Sequence, residues 1–217
     1  MNWDERAARA EERYREAQAR RPPSRTGQAE LLRMATAAGG AGLAELMRGR
    51  RDEGAAWLRR SAECYRASWE GAPAGSWGRP VGALKARLLA GDEAGAAADA
   101  RWTLSLGAGE ESSPIAAYAA ALAALVLAQD EQALRLASAL QDAAAGSFPS
   151  AVADALAALA RRDRVGYTEA VAAVLHSFES RDAYLEDVPV ADTVLVLQHL
   201  AAGRSLAVRL ASPLLPR

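Results

Sequence analysis

The chain has 217 residues, 51% hydrophobic and 24% charged, with 26 basic and 27 acidic side chains and a formal charge of −1. That length can bury roughly 70% of the unfolded chain's surface without a disulfide staple, and the balance excludes a disordered or membrane-embedded chain. The near-zero charge excludes a general polyanion binder, whose affinity needs many unneutralised Lys and Arg, so no nucleic-acid partner is expected.

Alanine fills 55 positions and aromatic residues only 6%, which is a helix-former's composition and predicts an all-α chain folded as one domain over residues 1–217. All the basic residues but Lys85 are Arg. Together with the alanine excess this reads as a GC-biased genome, so arginine number alone is not functional evidence. The single cysteine, Cys64, forms no internal disulfide and fits a reducing cytosol. It reads as a small buried packing residue, since no sequence neighbour activates it. The opening Met1-Asn2-Trp3-Asp4-Glu5-Arg6 lacks the apolar stretch of a secretory signal, so a cytoplasmic location is expected.

In chain order, Trp3–Arg21 reads as a charged helix with two large anchors, Trp3 and Tyr14, stopped by Pro22-Pro23. Residues 1–26 are therefore expected to be a loosely packed arm and linker. A second helix should begin near Gln28 and end at the Gly39-Gly40-Ala41-Gly42 cluster, read as a turn or hinge. From Leu43 onward short polar turns recur at Met47–Asp52, Leu89–Asp92, Ala128–Asp130 and Ala160–Asp163, with a variant at Ala201–Arg204. Aspartate at a helix N-cap accepts orphan amides of the first turn, so each turn should start the second helix of a hairpin. Prolines 80, 114, 149 and 189 fall where the first helices should start.

Ile115, Tyr118, Leu122, Leu125 and Val126 share one helical face, and the uncharged run Ser112–Gln129 is too alanine-rich to span a membrane, so no membrane partner is expected. The pattern predicts stacked helical hairpins, as a TPR-like superhelix or an irregular bundle. Val194–Leu197 is β-branched but in helical context. Leu206–Leu210 and Ser212–Pro216 predict an extended C-terminal tail over something apolar.

The usual catalytic motifs are absent: the sequence has no phosphate loop, no nucleophile elbow and no zinc signature, so no cofactor is expected. His176 and His199 on neighbouring helices admit a metal or histidine–carboxylate site, with surface histidines as the simpler reading. Trp57, Trp69, Trp77 and Trp102 lie near Arg66, Arg79 and Arg101, the residue types that dominate binding hot spots, although they serve equally as large anchors in a small-residue core. Trp77, in a loop, is the one expected to be most exposed. The acidic stretch Glu179–Asp187, with Tyr184 and Glu186, suits a basic partner, or is a solvated loop in which Asp182 or Asp187 caps the next helix. The candidate partner-binding residues are thus Trp69, Trp77, Arg79, Arg101, Trp102, Tyr184, Glu186 and Asp187.

In the C-terminal half, Phe178-Glu179, Tyr184-Leu185, Val188–Asp192, Ala202-Gly203 and Ser212–Pro216 form a familiar pattern. It resembles the all-helical bacterial immunity proteins of polymorphic toxin systems, the family numbered forty-nine, and uncharacterised helical-repeat proteins of GC-rich actinobacteria. That resemblance implies a cytoplasmic protein that binds one cognate toxin without catalysis, and it carries over no site residue. The leading expectation is accordingly a non-catalytic protein-binding module, an immunity protein or adaptor. A self-associating structural subunit, forming a homo-oligomer, is the alternative, and an enzyme built on His176 or His199 is the third.

Overall fold

A computed structural model of the protein describes residues 2–21, 27–143 and 148–216. Through these run α1 (Trp3–Arg20), α2 (Gln28–Met47), α3 (Arg51–Ser68), α4 (Gly78–Leu89), α5 (Glu93–Ser105), α6 (Pro114–Val126), α7 (Asp130–Ala143), α8 (Ser150–Arg161), α9 (Arg164–Glu179) and α10 (Asp192–Ala202). A short turn at Leu185–Asp187 precedes α10. The chain is all-α, as its composition predicts. The expected Pro22-Pro23 stop lies outside the described residues.

Each helix packs on the next in sequence, and the even-numbered ones also touch each other: α4 on α6, α6 on α8, α8 on α10 and α10 on α4. These four close an inner ring, with α5, α7 and α9 joining consecutive members from outside. Burial follows that order. In α6 every residue from Tyr118 to Leu125 is buried, because alanine lets neighbouring helices approach on all sides. Ile115, expected on its core face, is instead 39% exposed. α10 is held to α4 by Lys85, whose Nζ lies 2.5 Å from Asp192 and donates to Thr193 Oγ1 at 3.0 Å.

The polar turns start helices by two routes. Asp92 and Asp163 are N-caps, accepting from the amides of Gly95 at 2.9 Å and Gly166 at 3.1 Å. Asp130 lies inside the first turn of α7 and Asp52 inside that of α3, so neither is the N-cap the spacing predicts. Asp130 instead accepts from Arg204 at 2.6 Å, while Arg204 also donates to the Leu125 carbonyl at the end of α6.

Three further expectations are corrected. The Gly39–Gly42 cluster is no hinge: α2 runs straight through it to Met47. Its glycines permit close helix crossing, since a Cβ on Gly42 would fall 2.7 Å from Leu58 Cγ and 3.0 Å from the Gly54 carbonyl. The α1 arm is not loose: Ala7, Ala10 and Ala17 are buried against the domain, and Tyr14 meets Trp57 edge-on at 5.3 Å. The acidic loop caps no helix. Ala191 occupies the N-cap of α10, and Asp182 and Asp187 do not. Val194–Leu197 is helical, and the tail after α10 contains no strand among its described residues. The tail is tied by the Gln198 amide, which donates to the Val208 carbonyl and accepts from its N–H at 3.3 Å, and by the Ala191 amide donating to Leu214 O at 3.0 Å.

Candidate functional site

The tryptophans separate into a buried and a presented set. Trp77 is 4% exposed, contrary to the expectation for a loop residue: it sits at the N-terminus of α4, its ring centroid 5.2 Å from that of Trp69, inside the main core. An alanine-rich core offers few large groups to fill its interior, and the loop turns the indole inward. Arg79 is likewise no surface contact. At 6% exposure, its guanidinium donates to the Ser68 carbonyl at the end of α3 and to the Gln28 side chain. It satisfies a carbonyl that the helix end leaves orphaned, and burial lowers its pKa.

Trp69 and Trp102 stay half-buried, with centroids 6.0 Å apart and edge to face. Arg66 lies over the Trp102 ring at 4.8 Å, with 43% of its side chain exposed. What fixes it there is Asp99, only 1% exposed, which accepts from Arg66 and from Arg87 Nε at 3.2 Å. Arg101 is exposed on the same helix beside Trp102. The result is a ridge of two indole faces with Arg66 held over one of them and Arg101 exposed beside it. Trp57 belongs elsewhere, between Tyr14 and Arg60.

The acidic stretch already has a basic partner, supplied by the chain itself. Arg13 on α1 donates to Glu186 at 3.0 Å and to Asp187 at 2.9 Å. Its hydrogen bond holds the Asp187 carboxyl below the usual range. Glu186 and Asp187 both have φ of 57°, a left-handed conformation that costs a non-glycine residue roughly 1–2 kcal/mol. Arg13 is one of the contacts that hold it. Tyr184 turns inward, its hydroxyl donating to the Phe178 carbonyl at 2.5 Å.

Between this turn and α2, α3 and α4 lies a cleft of about 260 Å³, at the point where α10 closes onto α4. Tyr184 and Glu186 line it, together with Tyr65, Lys85, Asp192 and the glycines 39, 40, 78 and 82, which nothing in the sequence assigns to one site. A Cβ on Gly82 would fall 2.6 Å from the Tyr65 ring, and one on Gly40 would fall 3.0 Å from Glu186 Cβ. Glycine at those places lets the Tyr65 ring and the aliphatic stem of Glu186 lie directly against helix backbone. Gly82 inside an otherwise helical pattern was the available signal. Burial, and then the charges of Asp192 and Glu186, push the Tyr65 pKa up, so its hydroxyl keeps its proton.

The histidines form no shared site. His199 Nε2 lies 2.8 Å from Glu93 Oε1, and His176 is exposed on α9. Among the described residues no three His, Cys, Asp or Glu side chains converge as a metal would require, and no helix is long and apolar enough to cross a membrane. Cys64 is buried, and burial first, with the Glu63 charge, raises its pKa, so it stays a thiol. Compared with family models, curated proteins and solved structures, the chain matches none.

Proposed function

We propose that this protein is a non-catalytic protein-binding module, acting in the cytoplasm as an adaptor or an immunity-type protein, and that it meets its partner at the Arg66–Trp69–Arg101–Trp102 ridge. The observation that carries this reading is the buried Asp99 holding Arg66 over Trp102. Tryptophan and arginine are the residues most enriched at binding hot spots, and a group ordered beforehand loses less entropy when a partner docks. Asp99 has that effect on a long side chain that would otherwise sample many rotamers.

The test is affinity capture of the tagged chain from its native host, comparing the unaltered protein with Arg101→Glu and Trp102→Ala. Arg101 is exposed, so its reversal leaves the fold alone. One stoichiometric partner should be recovered by the unaltered chain and reduced at least about 30-fold with Trp102→Ala, the equivalent of a 2 kcal/mol hot spot. Equal recovery with both variants, or recovery only of further copies of the chain, contradicts the reading.

A further inference from the structure

We propose that the cleft at the α4–α10 closure binds a small, uncharged, mostly apolar molecule carrying a carbonyl-type hydrogen-bond acceptor. The inference is independent of the ridge, none of whose residues lines the cleft.

Size comes first. About 260 Å³ holds a molecule of about a dozen non-hydrogen atoms at roughly 20 Å³ each, just below the usual range of ligand pockets. Its walls are largely apolar, with Leu43, Leu58, Val81, Leu89, Phe178 and Val188 among them.

Charge comes second. Each carboxylate facing the cleft already has its own cation, Asp192 from Lys85 at 2.5 Å and Glu186 from Arg13 at 3.0 Å. Arg181, at the exposed rim, lies over the Phe178 ring at 3.7 Å. A cationic ligand must displace Lys85 or Arg13 from a part-buried pair, leaving a charge unpaired. An anion beside Tyr65 still meets Asp192 and Glu186, whose charges act on the Tyr65 hydroxyl in spite of their pairing.

Hydrogen bonding decides the remaining feature. Thr36 spends its proton on the Arg33 carbonyl at 3.1 Å, Ser61 on the Ala35 carbonyl at 2.7 Å and Tyr184 on the Phe178 carbonyl at 2.5 Å. Tyr65 Oη has no hydrogen-bond partner among the described residues, although its ring is pinned against Gly82. A fixed, protonated hydroxyl in an apolar cleft calls for a neutral acceptor.

The experiment is an amide-resolved NMR titration with four matched probes: acetophenone, toluene, benzoate and benzylamine. Acetophenone should bind saturably, shifting the amides of Gly40, Tyr65 and Gly82, with benzoate and benzylamine at least about tenfold weaker. Tyr65→Phe, which keeps the ring and therefore the packing, should weaken acetophenone about fivefold to tenfold and leave toluene unchanged. The proposal is overturned if acetophenone gives no saturable shift at these amides, if either charged probe binds as tightly, or if Tyr65→Phe leaves acetophenone unaffected. It is overturned equally if acetophenone and toluene weaken together in that variant, because the hydroxyl would then have no distinct part.

Discussion

Arg79 and Arg101 look alike in the sequence, two arginines near tryptophans, yet one is interior and the other exposed. The difference arises from the carbonyl that ends α3. Ser68 O needs a donor once α4 folds against it, and Arg79 is eleven residues away with a side chain long enough to reach. Replacing Arg79 by Ala should therefore cost about 1–3 kcal/mol of stability in urea denaturation, because a buried acceptor loses its partner. Arg101→Ala should stay within about 0.5 kcal/mol, as surface changes do. An Arg79→Ala midpoint equal to that of the unaltered chain would contradict this account. Composition and charge gave no means to separate the two, since burial here depends on a contact across two helices. Tyr65 was illegible for the same reason: its place is set by a missing Cβ at Gly82, seventeen positions on.

Helix positions were largely legible, because alanine content, aspartate turns and proline starts are local signals. The ends of α4 to α9 follow them closely: Pro114 opens α6, and Asp92 and Asp163 cap α5 and α9. The exceptions are set by packing. Gly39–Gly42 reads as a break on propensity, but the close approach of α2 to α3 at Gly42 and Gly54 outweighs the roughly 1 kcal/mol that each helical glycine costs. α1 reads as loose because its apolar residues are small. What docks it is alanine burial together with Arg13, whose partners lie more than 170 residues away. That docking carries a pH dependence. Asp187 has its pKa lowered from 3.8 by the Arg13 hydrogen bond, so its contribution is complete above that value and is lost as pH falls through the folded-state value, below about pH 4. Cys64 reports on it, since its thiol lies beside Tyr14 of α1 and in one cluster with Ala17. The rate of Cys64 with dithiodipyridine, relative to free cysteine at the same pH, should rise several-fold between pH 6 and pH 3 while helical circular dichroism persists. Arg13→Ala should show the faster rate already at pH 6. A relative rate flat down to pH 3 would contradict the pairing.

At the scale of the whole molecule, the hairpin period predicts a stack but cannot tell whether its ends meet. Closure depends on α10 reaching α4, carried by Lys85 with Asp192 and Thr193, and no periodicity encodes a pairing over more than a hundred residues. The closed inner ring carries two features at its edges: the cleft where α10 meets α4 on one hand, the Arg66–Trp102 ridge on α3 and α5 on the other. The candidate residues divide accordingly, with Trp69, Arg101 and Trp102 at the ridge, Tyr184 and Glu186 in the cleft wall with Asp187 beside them, and Trp77 and Arg79 in the interior. Site-specific photo-crosslinking decides whether the proposed ridge meets a partner. A benzoylphenylalanine in place of Arg101 should, on irradiation in the native host, trap a single protein partner, whereas the same group in place of the exposed His176 on α9 should trap none. The opposite pattern, or a crosslink from position 101 only to another copy of the chain, would contradict the account.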